Sequence, residues 1–494
     1  MSNKLETRKK IRKSVRDSAR AELKLQIIKA RNENVLEQSA SIVQERDYIK
    51  TDLYTAYDVK RGLRNSNGTG VLVGLTKIGE VIGYDVDEKG NKIPMEGKLY
   101  YRGYSIEDLV SNCVKENRFG FEEITYLLMF GELPSENELK AFKKYIARNR
   151  ELPLGFPRDM ILTTPSSNIM NKLARSVLAL YTYDDDPDNI SLENVIRQSI
   201  RLIGYFPALI AYAYQAKRSY YNNESLHLYN PLPELSTSEN ILRMLRPTGE
   251  YTDLEAKLLD LTLILHMEHG GGNNSSFTTH LISSSGTDTY AAISAAIGSL
   301  KGPRHGGANI KVIHMLKDLK ANVEDYTDHA QVDAYLRRVL RKEANDGSGL
   351  IYGMGHAIYT MSDPRAQVLK NMARDLAKGN DFMETFELCE YIEKRTPELF
   401  AEVHGGNKAM CANVDLYSGF VYTALGIPEE VATPLFALAR LSGWCAHRIE
   451  ELAQGSKLMR PAYKSVMEPR PYLKLEDRVT TIPLADEVAN ESDF

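Results

Sequence analysis

LEAKLLDLTLILHMEHGGGNNSSFTTHLISSSGTDTYAAISAAIGSLKGPRHGGAN, residues 254–309, decides the fold class. Apolar residues recur at three- and four-residue steps from Leu254 to His269 and again from Tyr290 to Leu300, the period of helices that bury one face. Gly270 to Gly272 and Gly302-Pro303 interrupt those runs, because glycine frees the backbone and proline cannot continue a helix. Each break lies beside a histidine, His269 and His305. A glycine lets a substrate approach the backbone and lets a loop aim its neighbour, so chemistry belongs at these joints.

The same helical period runs through Ser105 to Phe130, Leu173 to Leu180, Ile200 to Gln215 and Val431 to Leu452. Gly353, Gly355 and Gly405-Gly406 punctuate later runs. Only the stretch from Val71 to Tyr101 alternates in the manner of a few short strands, turning at DEKGN. Asp184 to Asn189 (DDDPDN) reads as a solvated loop. The chain is therefore mainly α, with a few short N-terminal strands.

At 494 residues it is long enough to divide into several compact units with a cleft between them. With 43% hydrophobic and 26% charged residues and a net charge of -4, it has the balance of a globular protein acting on small molecules, and no net attraction for nucleic acid. Four scattered cysteines, Cys113, Cys389, Cys411 and Cys445, suggest neither a zinc nor a redox motif and suit a reducing cytoplasm. No apolar run is long enough for a membrane span, and the basic N-terminus lacks the apolar core of a secretory signal. Ile11, Val15, Ala19, Leu23 and Ile27 recur every fourth residue, which predicts an amphipathic N-terminal helix.

Candidate acid–base groups stand in three segments: His305 in LKGPRHGGAN, His356 in GMGHAIYTMSDPRA and Asp415 in CANVDLYSGF. Taken singly, such residues commonly serve as turn or cap groups. Asp415 sits among apolar neighbours that would desolvate its carboxylate. His266 and His269, three apart, have a spacing that could hold a metal, but no third ligand completes a motif and none is expected. Arg440, with Leu435, Phe436, Leu438 and Leu441 around it, reads as a buried cation, and a guanidinium fork binds a carboxylate in a fixed orientation.

In order along the chain, GKLYYRGYSIEDL, FGFEEITYLLMFGELPSENEL, HMEHGGGNNSSFTTH, IGSLKGPRHGGAN, GMGHAIYTMSDPRA, NVDLYSGFVYTALGIP and LARLSGWCAHRIEE resemble successive blocks of the citrate synthase family, from about Gly97 to Tyr463. The resemblance implies a two-domain helical fold, a large domain (51–307 and 419–494) and a small domain (308–418), to which the periodicity adds an N-terminal helical extension (1–50). It implies a homodimer in which acetyl-CoA and oxaloacetate condense with water to give citrate and CoA, a step of the tricarboxylic acid cycle. On this resemblance His305, His356 and Asp415 are the catalytic triad, and His269, Arg365 and Arg440 bind oxaloacetate. Arg460 reaches the neighbouring subunit's site. The reaction so implied needs no metal and no cofactor besides acetyl-CoA as substrate.

Asp415 would take a proton from the acetyl methyl while His305, neutral, donates to the thioester oxygen; His356 would protonate the ketone that the enol attacks. Closure of the small domain would keep water out until condensation is complete. Many bacterial members carry a basic pair around the second histidine, but here the segment is GHAIYT, so Arg304, Lys301 and Lys311 are the candidates for the CoA phosphates. PRDMILTTPSSNIMNKLARSVLALY is longer than the family pattern, and the residues before about Thr51 lie outside it. A 2-methylcitrate synthase using propionyl-CoA would run the same chemistry, since one methylene is worth only about 1 to 3 kcal/mol of discrimination. A citryl-CoA lyase and a non-catalytic helical scaffold complete the alternatives; the absence of a P-loop argues against an ATP-driven lyase.

Overall fold

The fold is that of a computed structural model, which describes residues 22, 26, 34, 36–378, 381–406, 410–455 and 457–479. The expected N-terminal amphipathic helix, built on Ile11 to Ile27, lies outside these residues. The chain forms two compact units, Leu72–Arg460 and Met1–Val71 with Pro461–Phe494. The smaller unit contains the short helix Thr51–Ala56, which buries no residue.

The larger unit begins with the strands. β1 (Gly79–Val86) pairs antiparallel with β2 (Lys92–Tyr101), which pairs with β3 (Tyr104–Ser105). The β1–β2 register shifts between Ile82 and Tyr84, and Gly83 lies in that irregularity. A side chain at Gly83 would meet the Tyr359 backbone at 2.6 Å, so the bulge lets a later loop seat against the hairpin. Thr360 Oγ1 donates to Gly83 O at 2.5 Å, and Gly97 N–H donates to Ser362 Oγ at 3.1 Å.

The helices follow as α1 (Ile106–Lys115), α2 (Phe121–Phe130), α3 (Glu136–Arg148), α4 (Ile169–Leu180), α5 (Leu192–Asn222), α6 (Thr237–Leu245), α7 (Asp253–His266), α8 (Asn274–Ser283) and α9 (Thr289–Lys301). Then come α10 (Ala308–Asn322), α11 (His329–Leu340), α12 (Pro364–Ala377), α13 (Met383–His404), α14 (Val414–Ala424) and α15 (Glu429–Ala453). Complete capping boxes start α3, α6 and α7, where Ser135, Ser236 and Thr252 exchange bonds with Glu138, Glu239 and Glu255.

The run read as one helix from Ser105 to Phe130 is two. The backbone turns left-handed at Asn117, with φ 52°, and the buried Asp260 of α7 accepts the Gly120 N–H at 2.7 Å to start α2. The loop at Asp184 is also not simply solvated. Asp184 is buried and accepts from Arg197 (2.7 Å), Gln198 (3.0 Å) and Tyr290 (2.7 Å), because an ionised carboxylate held by that many donors can leave water.

α15 is the central element: it packs against α2, α5, α7, α8, α9 and α10 and is buried for most of its length. Burial all round would favour an apolar helix, yet α15 carries Arg440, His447 and Arg448, each with no exposed surface. Trp444, also fully buried, donates its indole N–H to Ser275 Oγ at 3.0 Å. Helices α10 to α14 pack on one another through the pairs α10–α14, α11–α13, α12–α13, α12–α14 and α13–α14. Among the described residues no helix is long and apolar enough to cross a membrane.

Candidate active site

α7 ends at His266, so His269 stands beyond the helix, in the turn that Gly270 makes with φ 79°. Tyr101 holds this turn. Its hydroxyl donates toward Ile264 O (3.0 Å) and accepts the Glu268 N–H (3.2 Å). His266 and His269 therefore do not share a helix face. The His266 ring bonds Thr262 O through Nδ1 at 2.8 Å, while the His269 ring meets those of His356 at 5.1 Å and Tyr359 at 5.6 Å between centroids.

His356 is delivered by a loop in which Gly353 and Gly355 take φ of 85° and 84°, a conformation open to glycine. Gly355 N–H donates to Cys411 O (2.7 Å), and Asn413 donates to Gly353 O and Gly355 O (2.9 Å each), so the loop is laced to the start of α14, where Asp415 sits. Nδ1 of His356 accepts both the Ile358 and Tyr359 N–H groups at 3.1 Å. In a neutral ring that leaves the proton on Nε2.

His305 lies in the turn before α10, with Nε2 3.0 Å from Ser275 Oγ. Burial, reinforced by the Arg440 charge, pushes its pKa down to about 4, so it is neutral near pH 7. Ser275 Oγ already accepts from Trp444; its own proton can go to His305 Nε2 or to Asn273 Oδ1 at 3.0 Å. The first choice leaves the imidazole proton on Nδ1.

Asp415 occupies the first turn of α14, where the helix dipole favours its anion. Burial nonetheless dominates, raising its pKa to about 6 against the charges of Arg365 and Arg440. Arg365, at the start of α12, is buried and gripped in a fork by Asp363, Nε to Oδ1 at 3.0 Å and Nη2 to Oδ2 at 2.8 Å. Asp363 also accepts the Val414 N–H at 3.3 Å, which joins the cation to the helix that carries Asp415. Arg440 donates through Nε to His266 O at 2.7 Å and stacks its guanidinium over Phe436, 4.8 Å from the ring centre. Desolvation lowers its pKa only to about 10, so it stays cationic.

These groups sense one another. Burial first, then Arg365, His356, Arg440 and His305, hold His269 well below the ordinary imidazole pKa. Two buried polar atoms in this cluster, His269 Nε2 and Arg440 Nη1, have no hydrogen-bond partner among the described residues. A buried donor without a partner costs about 1 to 3 kcal/mol, which a bound anion or ketone would return.

The structure thus gathers His269, His305, His356, Arg365, Arg440 and Asp415. The remaining candidates make no contact with these side chains that the structure shows. Arg460 is exposed near the end of the larger unit, and Lys301 and Arg304 are exposed around the end of α9. Lys311 pairs with Asp346 at 2.7 Å. The sequence did not single out Ser275, Tyr359 or Asp363, and gave Phe436 only as an apolar neighbour of Arg440. Only Asp363 carried a local signal: an Asp before Pro364 is an N-cap followed by proline in the first turn.

His269 and His305 with lowered pKa values, the His356 ring beside them, a carboxyl of raised pKa and two fixed guanidiniums on a helical scaffold suit acid–base chemistry on an anionic substrate. Residues 66–462 match the family described as citrate synthase, C-terminal domain. The chain is 35% identical to the citrate synthase of Corynebacterium glutamicum over 74% of this chain and 79% of that one. It is 35% identical to that of Deinococcus radiodurans over 78% and 93%. It is also 32% identical to 2-methylcitrate synthase 1 of C. glutamicum, over 83% and 96%. Among solved structures it superposes on the Thermotoga maritima citrate synthase with a TM-score of 0.67 at 29% identity, covering 85% of this chain and 100% of that one. The Thermoplasma acidophilum citrate synthase, solved with carboxymethyl coenzyme A and oxaloacetate, gives a TM-score of 0.67 at 26% identity, with 85% and 99% covered. The chain belongs to the citrate synthase family, and it is an acyltransferase.

Proposed function

We propose that this enzyme condenses acetyl-CoA with oxaloacetate and water to give citrate and CoA. The observation that carries the reading is the pair of unpartnered buried groups, His269 Nε2 and Arg440 Nη1, beside Asp415. Arg440 and Arg365 offer cations to the two carboxylates of oxaloacetate, and Asp363 fixes the Arg365 fork while leaving further N–H donors for substrate.

Asp415, ionised at pH 7 with a pKa of about 6, removes a methyl proton from the thioester. His305, uncharged, donates its Nδ1 proton to the oxygen on which charge grows when Ser275 holds Nε2. The enol then attacks the oxaloacetate ketone, returning its O–H proton to His305 as the thioester carbonyl re-forms, and His356 Nε2–H protonates the resulting alkoxide. Hydrolysis of the citryl thioester releases CoA.

A small domain at about 308–418, set off from a large one (51–307, 419–494), is supported by the mutual packing of α10 to α14, of which α14 continues to Ala424. Closure of that helical group would exclude water until condensation. A homodimer with Arg460 completing its neighbour's site is supported by the exposure of Arg460 and of the apolar Leu178 and Leu281 on α4 and α8. Lys301 and Arg304 are the exposed cations proposed for the CoA phosphates. We place the enzyme in the cytoplasm, in the tricarboxylic acid cycle.

Use of propionyl-CoA is the second reading, favoured by the likeness to 2-methylcitrate synthase 1. Thiol release from acetyl-CoA and from propionyl-CoA, each with oxaloacetate, separates the two. A kcat/KM ratio favouring acetyl-CoA upholds the proposal, and the reverse ratio replaces it with methylcitrate synthesis.

A further inference from the structure

Behind the turn that carries His269, four side chains outside the acid–base cluster form a continuous chain of hydrogen bonds. Glu268 Oε1 accepts from Gly270 N–H at 2.5 Å and lies 3.0 Å from His447 Nε2. His447 Nδ1 faces His280 Nε2 at 3.0 Å, and His280 Nδ1 lies 2.8 Å from Glu451 Oε2. The Glu268 and His447 side chains are 0% exposed, whereas those of His280 and Glu451 are 11% and 13% exposed. The chain therefore runs from the floor of the His269 turn toward the surface of the larger unit.

The charges around each ring favour one proton count along it. Two ring nitrogens that face each other can hold a single proton between them. Burial lowers the His447 pKa, but Glu268 and then Glu450, 3.8 Å from Nδ1, outweigh it and lift the value to about 9. Burial and the His447 charge lower that of His280. His447 is thus the cation, donating through Nε2 to Glu268 and through Nδ1 to His280. A neutral His280 passes its own Nδ1–H to Glu451. Glu268 stays ionised because His447 and Arg440 offset its burial.

Glu268 is confined as well as bonded. A side chain at Gly79 would meet its Cγ at 2.7 Å, and one at Gly443 would meet its Oε2 at 2.6 Å. Nothing but the absence of those two side chains admits the carboxylate between β1 and α15. A buried ion pair of this kind adds little stability over an apolar filling. What it adds is direction: Glu268 fixes the Gly270 amide, which sets the turn that aims His269, and it places a negative charge near Arg440.

We propose that Glu268, His447, His280 and Glu451 form a positioning chain that sets the affinity of the His269–Arg440 clamp for oxaloacetate without touching the reacting atoms. The proposal rests on the assignment of His269 and Arg440 to oxaloacetate. The role is graded, strongest at Glu268 and weakest at Glu451.

The test uses the full-length enzyme and the variants Glu268→Gln, His447→Gln and Glu451→Gln, with KM for oxaloacetate, KM for the acyl-CoA, kcat and melting temperature measured on each. The expected result for Glu268→Gln is a rise in KM for oxaloacetate of roughly 10-fold to 100-fold, the scale of losing an orienting partner behind a ligand. KM for the acyl-CoA should be unchanged and kcat should fall far less. His447→Gln should follow with a lesser rise, and Glu451→Gln with the least. Variants that melt lower but keep the wild-type KM for oxaloacetate would overturn the proposal, because a merely structural chain gives that result. If Glu268→Gln does not fold, an unchanged KM in Glu451→Gln does the same. A wild-type enzyme that releases no thiol would instead remove the functional reading on which the chain depends. His280, His447 and Glu450 also offer three ligand atoms within 4.8 Å of one another. A stoichiometric divalent metal in the purified wild type, lost in His280→Asn, would therefore overturn the shared-proton account.

Discussion

In the proposed role of Asp415 as the base, one residue would serve catalysis at the expense of the fold. Its pKa, raised from an ordinary 3.8 to about 6 chiefly by burial, means that the native state holds a proton the unfolded chain has lost between those values. Stability is therefore given up as pH rises from about 4 to about 6 and stays lower above that. Asp415→Asn should recover roughly 1 to 3 kcal/mol at pH 7 and nothing below about pH 4, read from urea unfolding at the two pH values. The sign for activity is the opposite, since the base works only when ionised: kcat should fall about tenfold per pH unit below about pH 6, as a pH–rate profile will record. His305, its pKa lowered to about 4, is mostly neutral above about pH 5, so there its state is set by Ser275 rather than by pH. Ser275→Ala should lower kcat by roughly 10-fold or more without a comparable change in oxaloacetate binding, because it releases the tautomer that presents the Nδ1 proton. That His305, His356, Asp415, Arg365 and Arg440 would lie together was legible from motif order. Their support was not: Ser275 reaches His305 from 30 positions away, and Trp444 reaches Ser275 from 169. Such pairings arise only when helices pack, and periodicity carries no trace of them.

At the scale of elements, glycines decide how closely the supporting pieces approach. Gly443 lets α15 lie against the Met267–Glu268 backbone, where a side chain would strike Met267 O. Gly443→Ala should destabilise the protein by about 1 to 3 kcal/mol, the usual cost of overpacking a tight contact, and should weaken oxaloacetate binding together with it. Urea unfolding and calorimetry on the same variant check both halves. The helices themselves were readable, because α5, α7, α9 and α15 keep a three- to four-residue apolar step over their length. Their ends were less so. The break between α1 and α2 depends on Asp260, 140 positions away, and the release of His269 from α7 depends on the Tyr101 hydroxyl. In each case a distant polar group satisfies backbone amides that local sequence would have left inside a helix. Asp184 was misjudged for the same reason, its partners Gln198 and Tyr290 lying on α5 and α9.

For the whole molecule, the account joins a proposed dimer to an acid–base centre built inside one chain. Arg460→Ala should raise KM for oxaloacetate. Mixed dimers of Arg460→Ala with Asp415→Asn should regain activity, since one of the two sites would then hold both an intact base and an intact partner arginine; no recovery would remove the arginine from the neighbouring site. On the proposed roles, the clamp and the base are separate devices meeting at one substrate. The most direct test is Asp415→Asn, with oxaloacetate affinity measured by calorimetry and thiol release measured on the same preparation. Removing a general base costs about 10² to 10⁴ in rate, so the account expects kcat to fall by that factor while oxaloacetate binds as it does to the wild type. Equal loss of binding and turnover, or turnover that survives intact, would contradict it.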